Sequence, residues 1–387
     1  MIDLVEFADN TAINVIQSTL VGVYCGDIHF GAFNPKEQYE ILKEQFIDEI
    51  ANSNAPIDLI ALPGDLFDHK AMGNSDLIMY ALKFVDELIN KCIRPFPDRT
   101  LILLSGTYNH DAKQYRLLYR YLADPTIDVR IVETIKFEII KGHRILCIPE
   151  LAGVDENVYR HFLFESGWYN QVIMHGTIKG AVAKDTVGNC RLFTIDDFVN
   201  CTGPIIAGHV HEPGCFNKYF YYTGSPYSWS FADHDNKGFL IVLSDINSRM
   251  HYAYKQRIES FRYETINLDE LISADAQSII SYIDKIKNEK GIDYIRIDFT
   301  LDMDKDKKVL LDAYYKNNNQ VKFKYSFTKQ QKEIEDRLTE MEDFAQFSYI
   351  FDKSLSEYDI LARYINEDKG YVFVTADEIK KFVEEVF

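Results

Sequence analysis

Residues 19–25 (Thr-Leu-Val-Gly-Val-Tyr-Cys), 57–62 (Ile-Asp-Leu-Ile-Ala-Leu) and 100–105 (Thr-Leu-Ile-Leu-Leu-Ser) are short apolar runs of strand length. Helix-patterned stretches separate them, and each run opens into a polar loop. This alternation constrains the fold more than any other feature, because a βαβαβ rhythm calls for a sheet with crossover helices. The first helix starts at Asn34-Pro35-Lys36-Glu37. There Asn34 can cap, Pro35 suits the first turn and Glu37 favours the positive helix end. A second helix covers about 74–92, with Leu77, Ile78, Ala81, Leu82 and Val85 on one face. The rhythm then becomes strand-rich, with strands expected at 134–140, 143–148, 171–175, 204–207, 238–243 and 250–256 and a helix near 155–166.

A chain of 387 residues suggests two or three domains at roughly 150 residues each. Its 47% hydrophobic and 26% charged residues exclude a disordered chain, which would be poor in apolar residues. The net charge of −18 argues against a histone-like or polybasic membrane-surface protein. Taken alone, it also argues against a nucleic-acid partner. Six cysteines without a C-x-x-C pair give no support to a zinc ribbon or a thioredoxin-type site, and reduced core thiols are the expectation. The N-terminal residues lack the pattern of a signal peptide, and no stretch reaches the ~20 apolar residues of a membrane span. The expected location is therefore cytoplasmic, with no membrane partner.

The chemistry-bearing residues sit directly after apolar runs. Asp27-Ile28-His29 follows the first, Gly64-Asp65-Leu66-Phe67-Asp68 the second and Asn109-His110-Asp111 the third. His175 ends the run Gln171-Val172-Ile173-Met174, and Gly208-His209-Val210-His211 follows Ile205-Ile206-Ala207. Loops at the carboxyl ends of strands build the active sites of open α/β sheets, so these five segments have a physical reason to converge. Imidazole and carboxylate donors without thiolate suit manganese, iron or zinc better than calcium or magnesium alone. Two cations sharing one carboxylate can bind a phosphoryl oxygen and activate a water. Each motif alone also has a plainer reading as a polar turn, a helix cap or a hydrogen-bonded core histidine. It is the ordered set at successive strand ends that points to a metal centre.

That set, D-x-H, G-D-x-x-D, N-H-D, a strand-terminal H and G-H-x-H, resembles the calcineurin-like metallophosphoesterases over about residues 19–258. The resemblance implies a two-sheet α/β/β/α sandwich. It implies that Asp27, His29, Asp65 and His211 hold one metal, and that Asp65, Asn109, His175 and His209 hold the other, with Asp65 bridging. His110 would protonate the leaving oxygen or hold the phosphate, oriented by Asp68, while His69 is an unassigned neighbour. Two divalent ions are implied as cofactors, manganese first, with magnesium, iron or zinc as alternatives. The third motif departs from the pattern: it reads Gly106-Thr107-Tyr108-Asn109-His110-Asp111, and the glycine stands two residues farther upstream of Asn109 than in the family.

The flanking residues are similar to those of the SbcD-type DNA repair nucleases and phage recombination nuclease subunits. The similar segments are Asp27-Ile-His-Phe-Gly31, Gly64-Asp-Leu-Phe-Asp68 and Tyr222-Thr-Gly-Ser-Pro-Tyr-Ser-Trp-Ser-Phe231. This implies a manganese-dependent DNA exo/endonuclease subunit, paired with an SbcC-like coiled-coil ATPase. The alternatives are a phosphatase or cyclic-nucleotide phosphodiesterase, and a scaffold that anchors DNA ends or an ATPase without cutting. Domain boundaries are expected at 1–258 for the nuclease domain, 259–326 for a small α/β capping domain that selects DNA, and 327–387 for a helical partner-binding segment. The last segment carries eight Lys/Arg and fifteen Asp/Glu, and Thr375-x-x-Glu378 forms a capping box before its final helix. DNA contacts are harder to place. Arg116 and Arg120 would share a helix face at i, i+4, and Lys179 and Lys184 follow His175. A homodimer through 74–92 and 113–123 is a further expectation.

Overall fold

A computed structural model describes residues 19–325 apart from 72, 74, 112, 113, 181–189, 229, 230, 232–236, 248–250, 302, 317 and 319, together with 375 and 377. These residues fall into two compact units, one within Met1–Thr265 and Asp284–Ile295, the other within Ile266–Ile283 and Arg296–Phe387.

The first unit is built on two six-stranded sheets. One comprises β1 (Thr19–Tyr24), β2 (Leu59–Pro63), β3 (Thr100–Leu104), β4 (Asp128–Val132), β11 (Gly238–Asp245) and β12 (His251–Arg257), in the order β12-β11-β1-β2-β3-β4. Its strands β1 to β4 run parallel, while β11 and β12 join antiparallel. The other sheet comprises β5 (Lys136–Ile140), β6 (His143–Ile148), β7 (Gln171–His175), β8 (Ile205–Gly208), β9 (Gly214–Asn217) and β10 (Phe220–Tyr222), in the order β5-β6-β7-β8-β10-β9. The apolar runs place β1–β3, β6, β7, β8 and β11 within a residue or two. The short strands β4, β9 and β10 carry no such pattern and emerge only in the sheets.

Why the runs are continuously apolar follows from the packing. Along β1, Leu20 and Tyr24 face the layer between the sheets, while Val21 and Val23 face the helices. Leu59 and Ala61 of β2 alternate with Ile60 and Leu62 in the same way, as do Ile102 and Leu104 with Leu101 and Leu103 in β3. In the second sheet, Ile145, Cys147, Ile173 and Ile206 point inward. Leu146, Ile148, Val172, Met174, Ile205 and Ala207 point to the outer layer. Strands buried on both faces have no polar face to show. Helix α1 (Pro35–Leu42), capped by Asn34, and helix α2 (Asp76–Leu88), capped by Ser75, cover the first sheet with Tyr39, Leu42, Leu77, Ile78, Phe84 and Leu88. The result is the α/β/β/α sandwich of the metallophosphoesterases.

After a four-residue helix α3 (Tyr108–Asp111), a 3-10 helix spans Gln114–Ala123, and α4 (Glu156–Arg160) packs Tyr159 on the outer face of the second sheet. Farther along, β13 (Tyr263–Asn267), β14 (Tyr294–Phe299) and β15 (Val321–Tyr325) form a three-stranded sheet in that order, accompanied by α5 (Ala276–Lys290) and α6 (Lys305–Tyr315). The proposed partner-binding segment 327–387 lies outside the described residues except at 375 and 377. No disulfide joins the six cysteines, and Cys25, Cys92 and Cys147 are buried. Among the described residues no helix is long and apolar enough to cross a membrane.

Candidate metal centre

The loops leaving β1, β2 and β3 meet those leaving β6, β7 and β8, because the parallel strands of each sheet end together. In register, Tyr24 lies opposite Ala61, Pro63 opposite Leu104, and His175 opposite Gly208. The backbone at this rim is unusual. Asp27, His29, Asp65 and His209 all have positive φ, at 51°, 48°, 52° and 92°. Only one other non-glycine residue among those described, Lys141, does so. A side chain held in this region costs about 1–3 kcal/mol and persists where the surroundings over-determine it.

The surroundings here are backbone and side-chain latches. The first two loops are zipped together by Asp27 N–H to Gly64 O at 3.1 Å, His29 N–H to Asp65 O at 2.9 Å and Asp68 N–H to Phe30 O at 3.0 Å. Fully buried Asp111 accepts the N–H groups of Asp65 (2.9 Å), Phe67 (3.1 Å) and Gly106 (2.7 Å), which binds the second loop to the third. Buried Gln38 donates to His29 O at 2.9 Å and to the Tyr227 hydroxyl, which in turn donates to Ile28 O. His211 O accepts from Ser225 N–H at 3.0 Å and from the buried Lys237 ammonium at 2.8 Å. The Gly-Ser-Pro-Tyr segment therefore braces the first and last loops. Gly64 has φ 93°, and a Cβ there would lie 2.1 Å from His175 Nδ1, so only glycine lets the two sheets approach at this point.

Groups of metal-ligating side chains that share members lie at this rim, and one of them contains Asp65. Ligand atoms of Asp27, His29 and His211 lie within 4.8 Å of one another, as do those of Asp27, Asp65 and His175, and those of Glu150, His175 and His209. Asp65 Oδ2 is 3.4 Å from His29 Nε2 and 3.2 Å from His175 Nε2. His175 Nδ1 lies 2.8 Å from Pro63 O; donation there leaves Nε2 as the coordinating nitrogen. Asp27 Oδ1 accepts the His209 N–H at 2.8 Å, but Asp27 Oδ2, wholly buried, has no hydrogen-bond partner. A buried carboxylate oxygen left so is costly without a cation. That orphaned oxygen, amid imidazoles and a second carboxylate, fits a divalent metal centre.

The electrostatics agree. Burial would raise the Asp65 carboxyl, yet the charge and hydrogen bond of His175, with His29 and His110 behind it, hold it well below the usual range. Conversely, burial would lower His175, but Asp65 raises it, with Asp27 and Glu150 adding to the effect. Each group holds the other charged, and a cation would take the place of the shared proton. Burial pushes His211 down to about 4, so it presents a neutral imidazole.

The third motif is arranged differently from the expectation. Thr107, directly after Gly106, reaches the centre: its N–H donates to Asp65 Oδ1 at 2.6 Å, and its hydroxyl donates to Asp65 Oδ2 at 3.2 Å and lies 3.4 Å from His175 Nε2. Asn109 is exposed on α3. His110 lies beside His29, with ring centroids 4.7 Å apart, and ligand atoms of His29, Asp68 and His110 lie within 4.8 Å of one another. Its Nδ1 meets the main-chain oxygen of Asp68, not its carboxylate. The Asp68 carboxylate instead lies 3.5 Å from His29 Nδ1 and 2.9 Å from the exposed His69 Nδ1.

Glu150 is a residue that sequence reasoning missed. It follows β6 with only Pro149 between, and its Oε2 lies 3.0 Å from His209 Nδ1 and 3.7 Å from His175 Nε2. A sixth apolar run ending in an acid, Arg-Ile-Leu-Cys-Ile-Pro-Glu, was the available signal.

The weaker DNA candidates lie elsewhere. Arg116, Arg120 and Lys179 are exposed, and Lys184 lies outside the described residues. Because residues 114–123 wind as a 3-10 helix with three residues per turn, Arg116 and Arg120 stand on different faces. Arg120 is engaged with Asp86 at 2.8 Å.

Residues 23–213 match the family of calcineurin-like phosphoesterases. That stretch is a metallophosphoesterase domain, a hydrolase for metal-dependent cleavage of phosphoesters in a family that uses two metal ions. Curated proteins gave no significant match. Among solved structures, a protein of unknown function from Aquifex aeolicus is 15% identical, covering 46% of this chain and 88% of that one with a TM-score of 0.21.

Proposed function

We propose that this metallophosphoesterase domain is a manganese-dependent DNA exo/endonuclease, the cutting subunit of an SbcCD-like complex. The observation that carries the reading is the Tyr222–Ser228 stretch of the SbcD-like segment, whose Tyr227 and Ser225 brace the metal-bearing loops at Ile28 and His211. Asp27, His29, Asp65 and His211 would hold one cation, and Asp65, His175 and His209 the other. When bound, two such cations polarise a phosphoryl oxygen and make a water nucleophilic near neutral pH.

The chain's own residues do the rest. Asp65 sits between the two groups and fixes their separation. His110, with Nδ1 committed to the Asp68 main chain, keeps Nε2 available to hold or move a proton at the leaving oxygen. The neutral imidazole of His211 and the unpartnered carboxylate oxygen of buried Asp27 supply donor atoms. In this reading residues 259–326 select the DNA and the acidic segment 327–387 meets a basic surface of an ATPase partner.

The test is purified protein with manganese on end-labelled duplex and single-stranded DNA, beside small phosphomonoesters and cyclic nucleotides. Cleavage of DNA that Asp65→Ala abolishes is expected. Intact DNA with rapid turnover of the small esters would assign the site to small substrates. Metal binding with no hydrolysis of any of them would favour a scaffold.

A further inference from the structure

The third loop carries two more residues between its glycine and its Asn-His pair than the family pattern has, and the structure shows where they go. Gly106 is held in place by its N–H bond to Asp111 at 2.7 Å, and no side chain fits there, since a Cβ would come within 2.2 Å of Asp65 Oδ1. The residue delivered to the bridging carboxylate is therefore the next one, Thr107. The chain then turns into α3, which carries Tyr108 and Asn109 to the surface. A threonine hydroxyl, one atom shorter in reach than an asparagine amide, is spent on Asp65 and on Glu150 Oε2 at 3.3 Å. The amide oxygen expected at the second cation position is thus not supplied by the third loop.

Another oxygen points there instead. Glu150, its side chain about nine-tenths buried, enters from the end of β6, the strand beside β7. Its Oε2 faces the ring nitrogens of both His209 and His175, and its Oε1 accepts from Cys190 Sγ at 3.2 Å. Four donors from four separate strand ends then surround the second position: Asp65 after β2, Glu150 after β6, His175 of β7 and His209 after β8.

We propose that Glu150 replaces Asn109 as an oxygen ligand of the second cation in this chain, and that Thr107 is a positioning residue that orients the bridging Asp65. The inference rests on the two-cation reading above. Its consequence is chemical: a charged carboxylate stands where the family has a neutral amide, so the second position binds a hard divalent cation more tightly and depends on the Glu150 charge.

The experiment strips the full chain with chelator and titrates it with manganese, reading stoichiometry and affinity by calorimetry, with circular dichroism of each variant to confirm folding. Wild type should take up two ions. Glu150→Gln, which keeps shape but not charge, should lose the second ion or bind it about tenfold or more weakly. Asn109→Ala should still bind two. Two ions in wild type with an unchanged second affinity in Glu150→Gln would overturn the proposal alone, as would loss of an ion in Asn109→Ala. Fewer than two ions in wild type would overturn the two-cation reading and the proposal with it.

Discussion

Removing the Asp111 carboxylate measures how firmly the second and third loops are held as one body. The carboxylate is wholly buried and accepts three backbone N–H groups, from Asp65, Phe67 and Gly106. Asp111→Ala would leave three donors facing the space the carboxylate filled. A buried donor without an acceptor costs about 1–3 kcal/mol, so three cost roughly 3–9 kcal/mol, and water entering the gap brings this toward the lower end. Part is offset, because burial and the charge of Asp65 push the Asp111 carboxyl up, and the substitution relieves that repulsion. The expected net loss is about 2–4 kcal/mol, a sizeable share of the roughly 5–15 kcal/mol typical of a folded domain. Urea unfolding in the presence of chelator, followed by circular dichroism, reads it without a contribution from bound metal. Asp111→Asn preserves the volume but turns an amide N–H toward at least one of the donors, so it should also be destabilised. If both variants unfold within about 0.5 kcal/mol of wild type, a margin typical of surface substitutions, the latch does not hold the loops.

Three further outcomes are expected. Asp65→Asn removes the charge shared by both cation positions, so hydrolysis of bis(p-nitrophenyl) phosphate with manganese should fall by at least about a hundredfold; a near-wild-type rate would place the chemistry elsewhere. Tyr227→Phe loses the hydroxyl that links Gln38 to Ile28 O, and chemical denaturation in chelator should show a loss of about 1–2 kcal/mol. Burial lowers the Lys255 ammonium, which donates to Thr223 O at 2.8 Å, to about 7 from its ordinary 10.5. Between those values the unfolded chain binds the proton and the folded chain does not, so this group makes stability rise with pH, by up to roughly 1.4 kcal/mol per pH unit. Lys255→Met should flatten the stability profile between pH 7 and 10 relative to wild type; parallel profiles would contradict the assignment.

Much of the centre could be read from the chain because its parts are local. Asp27, His29, Asp65, His175, His209 and His211 each follow a doubly buried strand within a few residues. Parallel strands that end together bring their loops together, so residue type and position after the run suffice to name them. The net charge sums the whole chain and does not describe this rim, where in the proposed reading Asp27 and Asp65 would face divalent cations that reverse the local sign.

The sequence by itself determined the sandwich and the meeting of six candidate ligands at one rim, because alternating burial and strand-end loops are properties of short segments. Only the tertiary structure decided which neighbour of a motif does the work. Thr107 rather than Asn109 meets Asp65, since Asp111 ties Gly106 to the backbone of Asp65 and Phe67. Glu150 joins the histidines through the adjacency of β6 and β7, a relation no spacing along the chain encodes. Arg116 and Arg120 part company because that segment winds at three residues per turn, with Gln114 tied to His69 O and His110 O, and Tyr115 to Leu104 O. In each case the outcome depends on a hydrogen bond or a contact that the pattern of residues along the chain does not encode.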